Sequence, residues 1–155
     1  MRKLNTGILL LILAFLSLYL SSCTAGSCFD ETESRVKGTF YSMETGKTLP
    51  PDSVTLYGVN MDTLEIYDKF PNLSSVEFPL YAAEQECKLV IRINGINDTV
   101  EFAYNSYPHL LSKECGYTFF FTLDTVIYSM NIIDSISVEK ETITTFNEEN
   151  LRIFY

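Results

Sequence analysis

The sequence predicts an all-β protein, built as a single antiparallel β-sandwich of about eight or nine strands. Short segments in which apolar and polar residues alternate recur about every 10–15 residues, with Gly, Pro, Asn and Asp between them. The chain has ten Tyr and eleven Phe but no Trp, and aromatic and β-branched residues favour strands. No long helix is expected beyond the first 22 residues. Only residues 108–114, with a proline at the start and Gly116 beyond the end, are typical of a helical turn.

The first half of the domain contains four expected strands, with apolar residues at alternate positions: 36–41, 53–59, 64–66 and 76–80. Pro79 lies within the fourth of these segments. Because proline cannot donate a hydrogen bond to a neighbouring strand, we expect the fourth strand to lie at an edge or to be irregular.

The second half contains the clearest hairpin of the chain. Alternation over 89–93 stops at Asn94-Gly95, and it resumes at Val100, so residues 94–98 are expected to form a five-residue connection. Further strands follow at 117–123, 132–138 and 151–155. Phe120 and Phe154 would point away from the core-facing residues of their strands, which predicts either a second covered face or an exposed patch that marks an interface.

The N-terminus has the pattern of an export signal. Arg2 and Lys3 precede an apolar run at 8–20, which is shorter than the roughly 20 residues of a membrane-spanning helix. The run closes with Leu20-Ser21-Ser22-Cys23, which resembles a bacterial lipobox. The resemblance implies that Cys23 receives diacylglycerol, that the chain is cut before it, and that the new amine is acylated. Ordinary cleavage is disfavoured because Leu20 stands where that peptidase needs a small residue.

We therefore expect three segments: a lipoprotein signal peptide at 1–22, a lipidated tether at 23–34 and a β-sandwich domain at 35–155. The expected location is the cell envelope, at the outer membrane and facing the periplasm or the cell surface. Removal of Arg2 and Lys3 leaves nine basic and twenty acidic residues, a net charge of −11. Such a chain repels phosphate backbones, so nucleic acid is not an expected partner.

Three cysteines remain after Cys23, and an exported protein permits disulfides. Cys28, Cys87 and Cys115 allow three pairings with one thiol left over. We prefer Cys28 with Cys115, because that bridge would tie the tether to the domain and could contribute about 4 kcal/mol. Cys87 would then be a small buried apolar residue.

Two resemblances extend beyond the N-terminus. Residues 38–41, 45–50 and 53–58 resemble the opening strands of a transthyretin-like, carboxypeptidase-regulatory-like sandwich, which implies an immunoglobulin-like arrangement of sheets and no particular chemistry. Residues 91–95, 107–117 and 147–155 resemble an uncharacterised lipoprotein family of the Bacteroidota, a domain of unknown function.

No residue pattern predicts catalysis, a metal or a cofactor. His109 is the only histidine, whereas a zinc site usually needs several. His109 and Cys115 could form a nucleophilic pair only if Cys115 were a thiolate, and we expect His109 to cap a turn instead. The adjacent carboxylates Asp30-Glu31 and Glu148-Glu149 could act on a glycosidic bond only across a cleft.

One pattern exceeds what an acidic chain would show by chance. Five of the seven aspartates begin an Asp-[Ser/Thr]-aliphatic triplet, which resembles the O-glycosylation acceptor of exported proteins in the same bacterial group. The same triplet also suits the start of a strand. The candidate acceptors are Ser53, Thr63, Thr99, Thr125 and Ser135.

Three functions are compatible with these sequence features. The first is a non-catalytic binding or assembly module, held in the membrane through Cys23 and recognising an envelope protein. The second is a small-ligand carrier with a lipocalin-like barrel, which would need an internal cavity. The third is an enzyme that processes envelope glycans or peptides. The first is preferred.

Overall fold

The structure, a computed structural model, describes residues 28–60 and 65–155, and these residues form ten strands and no helix. The expected all-β fold is confirmed, with one or two strands more than the alternation indicated. The ten strands are β1 (Arg35–Tyr41), β2 (Val54–Gly58), β3 (Glu65–Phe70), β4 (Ser75–Pro79), β5 (Glu86–Ile93), β6 (Ile96–Ser112), β7 (Gly116–Tyr128), β8 (Ser135–Val138), β9 (Thr142–Ile143) and β10 (Leu151–Phe154). The strand that alternation missed, β9, has only two residues, too few to show a period.

Two sheets pack against each other around one apolar core. The smaller sheet has the strand order β4-β1-β10-β8, and the larger has the order β3-β2-β5-β6-β7-β9. Phe78 of β4 and Phe102 of β6 meet between the sheets, with ring centroids 5.2 Å apart. Both side chains belong to a buried cluster drawn from nearly every strand. Burial of this apolar surface is the main force that holds the sheets together.

The smaller sheet departs in one place from the expected antiparallel pattern. β1 runs parallel to β10, with Gly38 opposite Leu151, while its other neighbour β4 is antiparallel. A Cβ atom at Gly38 would lie 2.8 Å from the terminal methyl of Ile153 and 3.2 Å from the Phe78 ring, so a larger residue would fit only if these core side chains shifted. β4 lies at the edge of this sheet, as Pro79 predicted.

The hairpin between β5 and β6 is tighter than expected. Its connection is Asn94-Gly95 alone, and both residues have positive φ (49° and 88°), as a two-residue hairpin turn requires. The prediction of a five-residue connection over 94–98 was wrong. Asn97 and Asp98 have turn-like side chains, but they pair with Arg92 and Ile91 of β5.

The helical turn expected at 108–114 was also wrong. Residues 108–112 continue β6, and a short turn leads to β7 at Gly116, which has a φ of 73°. Pro108 is opposite Phe119 of β7. A proline fits there because β5 pairs with β6 only as far as Ala103, so one side of β6 is unpaired beyond that point.

Several predictions fall on residues that the structure does not describe. These are the signal peptide, the lipid acceptor Cys23 and the candidate acceptor Thr63 with its Asp62. In the described part of the chain, residues 28–60 and 65–155, there is no helix long and apolar enough to cross a membrane.

Candidate functional site

The outer part of the β6–β7 hairpin, residues 107–120, is named the hairpin arm. β6 and β7 remain paired out to Ser112 and Gly116. Their neighbours stop earlier: β5 pairs no further than Ala103, and β9 pairs only with Phe121 and Thr122 of β7. The arm is therefore a two-stranded ribbon at the end of the larger sheet.

One row of β7 side chains passes from the core to solvent along the arm. Leu123 and Phe121 are each 3% exposed, Phe119 is 45% exposed and Tyr117 is 73% exposed. Alternation placed all four on one face, and only the inner two are covered. On β6, Pro108 and Leu110 are paired with Phe119 and Tyr117 and therefore share their face. The surface formed by Pro108, Leu110, Tyr117 and Phe119 is named the arm face.

The opposite side of the arm is closed by its own aromatic side chains. Phe120 is buried because the His109 ring stacks on it, with centroids 4.1 Å apart, and Tyr107 meets it edge-on at 6.2 Å. Phe120 does point away from the core row, as expected, but it is not the exposed residue. Phe154 is half-buried against Tyr41, at 5.6 Å. Tyr107 is itself 40% exposed, but the larger part of the exposed apolar surface of the arm lies on the arm face.

A disulfide joins the turn of the arm to the tether. It links Cys28 to Cys115, with Cα atoms 4.8 Å apart, as the preferred pairing predicted. Nearby, the Thr118 hydroxyl donates a hydrogen bond to the Thr32 carbonyl. Phe29, next to the bridge, is 92% exposed. The described residues of the tether thus lie against the arm rather than apart from the domain.

A groove of about 310 Å³ with both polar and apolar lining lies beside the arm, between the tether, the end of β4 and β7, and Phe119 of the arm face lines it. Ser34 lines it, and its buried hydroxyl is the one buried side-chain oxygen or nitrogen without a partner in the described residues. Glu33 and Arg35, which form an ion pair, also line the groove. The groove therefore adjoins the arm face, with Phe119 common to both.

The three cysteines that the structure describes do not form a nucleophilic site with His109. The Cys115 sulfur is bonded to Cys28, so it cannot become the thiolate that the reaction would need. Cys87 is free and buried, and burial raises the pKa of its thiol to about 11. His109 lies within β6 and stacks on Phe120, and it does not cap a turn. In the part of the chain that the structure describes, no three His, Cys, Asp or Glu residues are grouped as a metal site.

The carboxylates near the C-terminus are engaged in surface ion pairs. Glu149 accepts hydrogen bonds from Arg152 at 2.8 Å and from the Tyr41 hydroxyl at 2.9 Å. Burial acts to raise the pKa of Glu149, but the hydrogen bonds from Thr39, Arg152 and Tyr41 outweigh it and lower the pKa. Glu148 pairs with Lys140. A general acid needs a raised pKa, so this arrangement favours a structural role for Glu149.

Sequence reasoning missed one buried carboxylate. Asp98 is 1% exposed, and its oxygens accept hydrogen bonds from the Ser129 hydroxyl and from three backbone N–H groups at 2.8–2.9 Å, those of Asn131, Ile132 and Ile133. Burial acts to raise the pKa of Asp98, but these hydrogen bonds together lower it. A signal was present, because Asp98 stands two residues before Val100 and thus on the core-facing row of β6.

The candidate glycosylation acceptors differ in accessibility. Thr125 is exposed on β7, whereas Ser53, Thr99 and Ser135 are half-buried. Thr99 follows the buried Asp98, whose role in anchoring the segment after β7 accounts for that triplet structurally. Thr125 is therefore the most accessible of the four acceptors that the structure describes.

Nine of the ten strands, and the whole arm, fall within a stretch that matches a known family. Residues 53–155 match the family described as "Family of unknown function (DUF6452)". The chain belongs to this family. β1 and Cys28 lie before the matched residues. Neither a curated protein nor a solved structure matches the chain.

Proposed function

We propose that the protein is an exported lipoprotein of the Bacteroidota, anchored through Cys23 in the outer membrane and facing the periplasm or the cell surface. The lipobox-like ending of the signal supports the anchor, and the Cys28–Cys115 bridge favours an oxidising compartment. The bridge also fixes the tether, close to the proposed anchor, to the folded domain.

The folded domain acts as a non-catalytic binding or assembly module. The observation that carries this proposal is the arm face, an apolar surface presented on a ribbon that the disulfide braces. Exposed apolar patches of this kind mark sites of contact with either a protein or a membrane. The residues with catalytic potential are otherwise engaged, because Cys115 is in the bridge, His109 is stacked and Glu149 is paired with Arg152.

The carrier and the enzyme receive less support. A lipocalin-like carrier needs a closed barrel with a cavity, whereas the interior between these two sheets holds large side chains such as Phe40, Phe78 and Phe102. A glycan- or peptide-processing enzyme needs convergent acid and base groups. Cys115, His109 and Glu149 are held in a disulfide, a ring stack and an ion pair, so they give the enzyme no support.

Acyl labelling in a bacterial host that processes lipoproteins tests the proposal. The wild-type chain should incorporate an alkyne-tagged palmitate, float with membranes and show the mass of a chain that begins at Cys23. Cys23→Ala should lose the label and the flotation. Cys87→Ala, which removes a different cysteine, should keep both. Wild-type protein that is exported without acyl label would refute the anchor.

We also propose O-glycosylation at one or more of Ser53, Thr63, Thr99, Thr125 and Ser135, with Thr125 first because it is exposed. Intact mass of protein from the native host should exceed the mass explained by lipid. Thr125→Ala should remove one increment, while Thr122→Ala, on the same strand but outside any triplet, should not. A native mass explained by lipid alone would end the proposal.

A further inference from the structure

The disulfide sets a short limit on the distance between the arm and the proposed anchor. Cys28 lies five positions after Cys23, and a fully extended chain spans at most about 18 Å over that separation. The bridge then adds only 4.8 Å between the Cα atoms of Cys28 and Cys115. Without the bridge, the first fixed point of the domain would be the start of β1, twelve positions after Cys23. The distance from Cys23 to the domain could then reach about 43 Å. The turn of the arm is therefore the part of the domain held closest to the membrane.

The side chains at this end of the molecule suit a lipid interface. The arm face presents Tyr117 and Phe119 with Leu110, which is 50% exposed, and Phe29 beside the bridge is 92% exposed. Tyrosine combines an apolar ring with a polar hydroxyl and concentrates at the boundary between lipid headgroups and acyl chains. The two charged residues of the turn, Lys113 and Glu114, have opposite signs, so the turn itself carries no net charge.

The size of the surface favours lipid over a protein partner. Because one aromatic side chain covers about 150–250 Å², these exposed residues together offer roughly 500 Å². A stable protein interface needs about 800 Å² on each partner. A bilayer requires no complementary shape and is already held against the arm by the anchor.

Resting on the proposed lipidation of Cys23, we infer that the arm face and Phe29 insert into the interfacial layer of the anchoring membrane. The domain then has a fixed orientation, with the β6–β7 turn toward the bilayer. Asp30 and Glu31, next to Phe29, remain among the hydrated headgroups. The acidic chain gains no attraction from anionic lipid, so the contact is apolar and depends on the anchor.

The absence of tryptophan from the sequence allows a direct test. Tyr117→Trp introduces a single tryptophan on the arm face. Met130→Trp is the matched control, because Met130 is 70% exposed against 73% for Tyr117 and lies beyond the opposite end of β7. Both full-length variants are purified in acylated form and placed in phosphatidylcholine vesicles that carry brominated acyl chains.

We expect brominated lipid to quench the tryptophan at position 117 at least about twofold more than the one at position 130, with blue-shifted emission at position 117. The additional changes Cys28→Ser and Cys115→Ser should reduce that difference. Protein that is acylated and floats with the vesicles, yet shows equal quenching at both positions, would overturn the membrane contact and leave the anchor intact.

Two other outcomes overturn the inference by different routes. Protein that carries no acyl group refutes the anchor and removes the basis of the contact with it. A tryptophan at position 117 that is shielded from aqueous acrylamide in a lipid-free, self-associated sample, but is not quenched by brominated lipid, assigns the arm face to a second copy of the chain.

Discussion

The β6–β7 hairpin has an inner half, residues 96–106 and 121–128, and an outer half, which is the hairpin arm. Side chains alternate between the two faces in the same way in both halves, but different interactions hold each half in place. In the inner half, the row continues through Phe121 and Leu123, both 3% exposed beneath the second sheet. In the outer half, the same row continues through Phe119 and Tyr117, which are 45% and 73% exposed. The pattern of residues sets which face a side chain takes, but the neighbouring strands decide whether that face is covered.

Different interactions stabilise the two halves. The inner half has buried apolar surface, at roughly 25 cal/mol for each Å², and the Asp98 carboxylate, which holds the segment after β7. The outer half has a disulfide, a stacked His109 on Phe120, and one side-chain contact from Thr118 to the tether. The arm is therefore held by local interactions, chiefly the disulfide, and one of its faces is left uncovered.

The largest expected effect belongs to the inner half. Phe121→Ala should lower the free energy of unfolding by about 3–5 kcal/mol, because it empties a buried site. The Phe121 ring packs edge-on against Tyr104 at 5.5 Å, and its backbone pairs with Ile143 of β9. Urea unfolding followed by circular dichroism measures the change. A loss below about 1 kcal/mol would contradict the claim that the inner half is closed.

The disulfide should rank second. Cys28→Ser with Cys115→Ser opens a loop with a sequence separation of 87 residues, and removing such a bridge costs about 2–4 kcal/mol. Urea unfolding under non-reducing conditions measures the loss. Wild-type protein treated with a reductant should fall to the same stability as the variant, and Cys87→Ala serves as the control for removal of a cysteine outside the bridge. Unchanged stability in both the variant and the reduced protein would show that the brace is dispensable.

The third effect depends on pH. Asp98→Asn should cost about 2 kcal/mol at pH 7, because a charged acceptor of several hydrogen bonds becomes neutral. The pKa of Asp98 is lowered in the folded protein, so its contribution is present above the unfolded pKa and is lost as pH falls through the folded one. The gap between wild type and variant should therefore shrink below about pH 4. Urea unfolding at several pH values measures it.

The control for the third effect is Asp124→Asn. Asp124 is an exposed carboxylate on β7 that accepts a single side-chain hydrogen bond, from Asn105 at 2.7 Å. It should change stability by less than about 0.5 kcal/mol. If the difference in unfolding free energy between wild type and Asp98→Asn stays constant down to pH 3, the charge of Asp98 does not account for its contribution to stability.

The positions of the strands in the inner half were largely predictable from the sequence, but the role of the buried Asp98 carboxylate was not. Alternation located β5, β6 and the inner part of β7, because one buried face imposes a period of two. Alternation places Asp98 in a turn, because it stops at Asn94-Gly95 and resumes only at Val100. Its real partners are backbone groups of residues 131–133, more than thirty residues later, and no local pattern records such a contact.

In the outer half, the long-range contact was predicted and the local structure was not. The pairing of Cys28 with Cys115 was predicted from the position of the tether, whereas residues 108–114 were assigned to a helical turn. Pro108 and Gly116 are typical of a helix start and a helix end, yet cross-strand pairing overrides them, as in the pairing of Leu110 with Tyr117 and the stacking of His109 on Phe120. The exposure of the arm face depends on where the neighbouring strands end, which residue types do not encode.

The smallest expected effect tests the outer half directly. Tyr117→Ala should change the free energy of unfolding by less than about 0.5 kcal/mol, because the side chain is 73% exposed and no other strand covers it. Urea unfolding of the lipid-free protein provides the measurement, and Phe119→Ala, at 45% exposure, should fall between Tyr117→Ala and Phe121→Ala. A loss above about 1 kcal/mol for Tyr117→Ala would mean that the arm face is packed in the isolated protein, because only a covered side chain loses that much on truncation.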